Sequence, residues 1–353
     1  MNKSTSLYLD FLRVIAAFGV MLVHANLPWF SAGLFLRAEL GHKFVMVFFV
    51  LSGYLIAFTV DKKNKGPKTY LVDRLSRLYS VVLPALIFTY LIDFIGQKLS
   101  PGFYADKINF GQPVLRFLLN FTYLQQVWNL CTKPSSNTPF WSISYEFWYY
   151  MLYFVLCYYQ GTKRYIGVAI VCLITGLKIL LLLPVWLLGA YVYKAANRSK
   201  LNNRTAQVLF VLSAAAVIGC SFLGDIGFLA RRFGFGRPPL YFSSQFLFDW
   251  GYGCLVALNI YSFSLATFSF KMPDFLARVI KHFSSITFTL YLFHIPILYF
   301  IASQLKYDKT SYLQVVSLLC FVLMLVNLLA YISERQRNYL KDFFNKALGL
   351  FMQ

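Results

Sequence analysis

The chain has 353 residues, of which 59% are hydrophobic, 19% aromatic and 13% charged, and its mean hydropathy is +0.60. Soluble domains run to about 45–50% apolar and about 25% charged residues. The composition therefore excludes a soluble globular enzyme, a disordered chain and a disulfide-stapled secreted domain. Thirty-three Lys and Arg against 13 Asp and Glu give a formal charge of +20. On so apolar a chain that excess fits cytoplasmic loops facing anionic lipid, not nucleic acid.

Ten apolar runs follow in order, at 8–28, 43–60, 76–96, 140–159, 165–179, 181–194, 206–223, 246–268, 284–303 and 311–333. A bilayer span needs about 20 mostly apolar residues, within a range of ~17–25. Most runs meet that length. The 165–194 region carries Lys178 and Pro184 inside it and reads as two short spans in a hairpin, with Lys178 at the tip. The first run is not a cleaved signal, because Arg13 sits early in it and no small-residue cleavage site follows. The expected fold is all-α, a polytopic transmembrane bundle of about ten spans.

Charge orients it. With the N-terminus in the cytoplasm, the inner segments hold roughly twice the Lys and Arg of the outer ones, which predicts N-in and C-in. Residues 1–333 form one transmembrane domain, and 334–353 form a basic cytoplasmic tail. The longest outer segment is 97–139, whose 112–128 stretch is apolar enough to lie in the interface or re-enter. Were that stretch to span, every later helix would reverse. The six cysteines form no CxxC pair, and five lie in apolar runs, so they read as core filler and not as metal ligands or disulfides.

Ionisable residues inside hydrocarbon are costly and default to function. In the first span Arg13 and His24 are 11 residues apart. At ~100° and ~1.5 Å per residue they share a helix face and stand roughly 16 Å apart along the axis, a fixed cation low and an imidazole high. A plain role for Arg13 is a snorkelling end residue paired with Asp10; for His24 it is an interhelical hydrogen bond. In the third span Arg74 and Arg77 share a face at the cytoplasmic entrance. They serve either as anchors or, with Arg13, as a guanidinium cluster suited to phosphate. Glu146 is the one acid in the fourth span, with Ser142 one turn before it on its face. It is either an interfacial acid among belt aromatics or, placed at the depth of His24, the partner of that imidazole that raises its basicity.

His294, in the ninth span beside Pro296, is either a second functional imidazole or a packing residue. Asp93 and Asp249 read as ordinary helix-end residues or weaker site candidates, and Lys178 as a hairpin-tip charge or a site. Ser52-Gly53 and Gly189 let a second backbone, or a thin ligand, approach closely. The outer loops carry Lys98, Lys107, Arg116, Lys133, Arg231, Arg232 and Arg237 among aromatics, either interface anchors or a surface for an acidic saccharide.

These segments together resemble the integral-membrane acyltransferase-3 family. Arg13 and His24 match its R-x10-H, and FFVLSGYLI at 48–56 its FF-x-x-SG. Arg74, Arg77 and Pro84 resemble its R-x-x-R and following proline, which is displaced here; FWSISYE at 140–146 resembles its W-S-L-x-x-E, and SSITFTLYLFHIPI at 284–297 its late S-Y-x-x-Y-L-x-H-x-P. The resemblance implies a multi-pass protein of the bacterial inner membrane that moves an acyl group, usually acetyl, from cytoplasmic acyl-CoA to a hydroxyl of an extracytoplasmic or lipid-linked saccharide. No cofactor or metal is expected, and acetyl-CoA enters as a co-substrate.

Geometry agrees with this. A thin pantetheine arm spans a distance on the order of the Arg13–His24 separation. Arg13, Arg74 and Arg77 would hold the phosphates, and the arm would pass Ser52-Gly53. His24 would act as base or acyl relay, with Glu146 orienting it. Ser52, Ser142, Tyr145 and Tyr291 are candidate oxyanion donors. The alternative is a proton-coupled transporter relaying protons through His24, Glu146 and His294. No inverted repeat supports that reading.

Overall fold

In a computed structural model of the chain, residues 1–63, 66–105, 107, 108, 110–222, 239–268 and 272–351 are described. Among these residues the chain is all-helical. The helices are α1 (Lys3–Ala25), α2 (Glu39–Lys63), α3 (Gly66–Leu99), α4 (Pro101–Ala105), α5 (Pro113–Phe121), α6 (Trp141–Tyr158) and α7 (Gly161–Thr175). They continue as α8 (Leu177–Ala196), α9 (Asn203–Phe222), α10 (Phe246–Leu265), α11 (Asp274–Ser284), α12 (Thr287–Gln304), α13 (Tyr312–Ile332) and α14 (Arg337–Phe351).

Seven helices among the described residues are long and apolar enough to cross a membrane: α1, α2, α3, α8, α9, α12 and the one that begins at Tyr312. Large apolar side chains such as Phe222, Leu173 and Leu313 stay exposed, as lipid-facing positions would. Cys254 and Cys320 are also exposed, so they do not fill a core. The 112–128 stretch contains α5, nine residues long. At ~1.5 Å per residue α5 reaches less than half the ~30 Å of a hydrocarbon core, so it does not span. The 165–194 region is two helices parted at Gly176, whose φ of 72° breaks the helical backbone.

The chain forms two compact units. The first comprises Met1–Ala16, Glu39–Asn64 and Thr175–Ser284. Here α2 and α8 cross at their glycines. A Cβ on Gly53 would lie 1.9 Å from the Trp186 carbonyl oxygen, and one on Gly189 would lie 1.9 Å from that of Val50. Trp186 Nε1 donates to Ser52 Oγ at 3.2 Å beside this crossing. The close approach read from Ser52-Gly53 is thus made by a second backbone, and the thin ligand finds that place taken. Helix α10 packs on α2, α8 and α9. Its Asn259 accepts the Tyr8 hydroxyl and donates to Ser213 Oγ at 3.1 Å.

The second unit comprises Ala17–Ala38, Lys65–Ile174 and Ser285–Gln353, with α3 packed against α12, α6, α5 and α14. Pro296 lies inside α12 and has no N–H to give the Leu292 carbonyl one turn back. Asn137 Nδ2 fills that gap at 2.6 Å and also donates to Thr89 Oγ1 at 3.0 Å. One proline in the sequence thereby docks the turn that launches α6. Within the basic segment after residue 333, α14 lies along α3, with Phe344 5.7 Å from the Tyr79 ring.

Gly53→Ala is expected to cost about 1–3 kcal/mol by overpacking a backbone contact. It should lower the melting temperature of the detergent-solubilised protein by several degrees. Gly251→Ala, where the added Cβ meets nothing within 4 Å, should leave it unchanged.

Candidate active site

The site is built in the second unit around two imidazoles. His24 lies in the last turn of α1, and His294 is fully buried in α12. His294 Nδ1 is 2.8 Å from the Leu290 carbonyl oxygen, and His294 Nε2 is 2.9 Å from His24 Nδ1. A carbonyl only accepts, so His294 carries its proton on Nδ1 and its lone pair on Nε2. His24 must then donate from Nδ1. Its own Nε2 is left with a lone pair. The Leu290 carbonyl thereby sets the tautomer of His294, the Val20 carbonyl also bonds the His24 ring, and a proton on His24 Nδ1 makes its Nε2 the basic atom of the pair.

A seam of polar side chains leads away from the histidines. The Tyr291 ring is 6.4 Å from that of His294, and its hydroxyl lies 2.8 Å from Ser142 Oγ. The Tyr291 hydroxyl also donates to the Pro139 carbonyl at 3.2 Å. Ser142, Glu146 and Tyr150 follow at one-turn intervals on α6, so they share a face. The Tyr150 hydroxyl donates to Glu146 Oε1, and the Tyr150 ring sits 5.9 Å from the Arg74 guanidinium. The charges of Glu146 and Glu334 both reach Arg77. Glu334 also accepts from Thr289 Oγ1 at 3.2 Å.

The expected His24–Glu146 pair does not form. His24 is answered by His294, and Glu146 faces Tyr150 and the arginines, lower on the seam than its place in the sequence suggested. His294, read as either a functional imidazole or a packing residue, is fully buried and bonded to both His24 and the Leu290 carbonyl. Tyr145, offered as an oxyanion donor, is buried among aromatic rings, with Trp141 at 5.2 Å.

Arg13 belongs to the first unit. It lies 3.5 Å from Asp10 and donates to Ser284 Oγ at 3.2 Å, while that hydroxyl donates to Asp10 at 2.8 Å. The Asp10 pairing read from the sequence is present, widened by a serine from α11. Ser52 and Gly53 sit at the α2–α8 crossing already described.

Sequence reading missed the pair of His42 and Asp249, whose Nε2–Oδ1 distance is 3.0 Å in the first unit. Three further charges keep the helix-end and hairpin-tip places read for them but are buried there, Asp249 in the first turn of α10 and Lys178 just past the Gly176 break. Lys178 is buried, its Nζ 5.0 Å from the Tyr241 ring, and is no solvated tip. Asp249 is buried with it. Asp93 is fully buried in α3 and accepts the Ser136 N–H at 2.9 Å. Burial pushes the Lys133 ammonium down, and the Asp93 carboxylate nearby opposes this. Lys98 and Lys107 cover the rings of Phe94 and Phe103, at 4.4 and 4.3 Å, as interface anchors do. Arg231, Arg232 and Arg237 lie outside the described residues.

Residues 6–333, nearly the whole chain, match the sequence model of the Acyl_transf_3 acyltransferase domain. No curated protein and no solved structure matches. The matched residues include the histidine pair, the α6 stripe and both arginines of α3. The chain therefore belongs to the acyltransferase-3 family of membrane acyltransferases.

Proposed function

We propose that the protein is an O-acyltransferase of the bacterial inner membrane, with N- and C-termini in the cytoplasm. It takes an acyl group, acetyl in the first instance, from cytoplasmic acyl-CoA to a hydroxyl of an extracytoplasmic or lipid-linked saccharide. The observation that carries this reading is the seam in the second unit, with a basic imidazole at one end and guanidiniums at the other. A phosphate-bearing donor with a long thin arm suits such a seam better than a proton does, since two arginines grip phosphate.

In direct transfer, His24 Nε2 accepts the proton of the attacking hydroxyl as its oxygen bonds to the thioester carbonyl carbon. The carbon–sulfur bond then breaks, and the imidazolium returns the proton to the departing thiolate. In a relay, His24 Nε2 bonds to the thioester carbonyl carbon and the carbon–sulfur bond breaks to release the CoA thiolate; the hydroxyl oxygen then attacks the acyl-imidazolium, the carbon–nitrogen bond breaks, and the hydroxyl proton passes through the freed imidazole to the thiolate. Either route needs a lone pair on Nε2, which the His294 hydrogen bond secures. Tyr291 and Ser142, whose hydroxyls both bond the Pro139 carbonyl at rest, would serve as oxyanion donors by turning one O–H away from it. Arg74 and Arg77 hold phosphates, and Glu146 with Tyr150 keeps those guanidiniums in place.

In liposomes with acetyl-labelled acetyl-CoA, His24→Ala is expected to lose CoA release by roughly 10²–10⁴-fold while the protein keeps its fold. Near-wild-type release by that variant would overturn the assignment. A second measurement probes the pair. His294→Phe, which cannot accept from His24 Nδ1, should slow transfer about tenfold or more, whereas His294→Gln, whose Oε1 accepts, should recover part of the loss. Nitrogen NMR on labelled histidine should find His24 protonated on Nδ1 in the wild type.

A further inference from the structure

Helix α14 begins at Arg337, just past residue 333 where the family match ends. Asp73 of α3 holds it. Arg337 Nη2 lies 3.5 Å from Asp73 Oδ1 and donates to the Asp73 carbonyl at 3.1 Å. Lys341 Nζ reaches the same carboxylate at 3.1 Å. Arg337, Lys341 and Phe344 recur at helical spacing, so one face of α14 makes all these contacts.

The consequence is a crowd of like charges. The Arg337 guanidinium stands within electrostatic reach of both Arg74 and Arg77. Asp73 is shared between Arg337 and Lys341, and Glu146 and Glu334 serve Arg77. Arg74 is 7% exposed, and among the described residues its Nε has no acceptor. The Nε of Arg337 is buried and equally without one. Buried donors of this kind are rare because each forfeits its hydrogen bond to water. A purely structural helix dock would be served as well by apolar contact. Two unanswered donors, on guanidiniums brought together against their repulsion, fit an anion rich in oxygens.

We propose that Arg337, positioned by Asp73, joins Arg74 and Arg77 in binding the phosphates of the acyl-CoA donor. The proposal rests on the donor assigned in the preceding subsection. An organic phosphate is the chemistry recognised, and an anionic lipid headgroup offers the same oxygens, so the experiment separates the two.

The full chain in phosphatidylcholine nanodiscs, which carry no net lipid charge, is titrated with coenzyme A and, separately, with inorganic pyrophosphate. Arg337→Gln is expected to weaken coenzyme A by about tenfold or more, and Arg337→Lys to recover only part, because an ammonium lacks the bidentate fork. Arg335→Gln removes a neighbouring charge that stacks on Tyr331 at 3.9 Å and should change nothing. Asp73→Asn discriminates further. By net charge alone, losing a carboxylate strengthens anion binding; if Asp73 positions Arg337, the variant weakens it. In turnover, Arg337→Gln should raise KM for acetyl-CoA by a similar factor and leave kcat within about twofold, with an unchanged melting temperature.

Equal coenzyme A affinity in wild type and Arg337→Gln overturns the proposal and leaves the acyltransferase reading standing. Arg337-dependent binding of phosphatidylglycerol with coenzyme A unaffected also overturns it, in favour of a lipid site. Arg337-dependent binding of pyrophosphate without any binding of coenzyme A keeps the phosphate site and removes the donor reading instead.

Discussion

Hydrocarbon offers no hydrogen-bond partner, so a polar group placed in it must be answered by another part of the same chain. Much of this structure follows from that constraint. Pro296 leaves the Leu292 carbonyl without its helical donor, and Asn137 reaches across to supply one. Asp93, fully buried, takes the Ser136 N–H. The Leu290 carbonyl, already in the α12 ladder, uses its second lone pair on His294. Each answer fixes a turn, a side chain or a ring, and together they hold the entry to α6 against α3 and α12.

The seam is built from the same answers, but it has two unequal ends. At the histidine end the chain of donors closes on one free lone pair, at His24 Nε2. At the arginine end it closes on unanswered N–H groups, at Arg74 and Arg337. Between them the stripe of Ser142, Glu146 and Tyr150 keeps polar atoms along one face of the first part of α6. A base at one end and a surplus of donors at the other is an asymmetry that a transferase requires of its two substrates, one to be deprotonated and one to be gripped by its charge.

Much of this was legible in the sequence. Apolar runs located the long helices, and the intramembrane His24, Glu146, Arg74 and Arg77 marked the site. Helical spacing put Ser142 and Glu146 on one face. The wrong partner for His24 arose because period and run length give a residue's place on its own helix but not the depth at which two helices cross. Trp141 at the start of α6 is buried, and Glu146 finds Tyr150 and Arg77 in place of His24. Lys178 does lie at the hairpin tip, but a break in hydropathy cannot distinguish a solvated bend from a buried one capped by an aromatic ring. His42–Asp249 left no local signal at all, since the two residues are 207 positions apart and each sits in a helix's first turns. Arg337 was hidden in a segment that composition marks only as basic.

The replacement of Glu146 by His294 as the partner of His24 bears on the chemistry. A carboxylate beside an imidazole stabilises the imidazolium strongly, but it places a permanent charge in hydrocarbon whenever the site is idle. Two neutral rings place none. When His24 Nε2 takes a proton in the proposed reaction, its Nδ1 proton can shift along the 2.9 Å contact to His294, whose other nitrogen is already bound to Leu290. The positive charge is then spread over two rings and a peptide dipole instead of being met by an anion. Such an arrangement suits a base that must stay neutral until substrate arrives. The carboxylate is thereby left for the arginines, whose charge is permanent and needs an answer at all times.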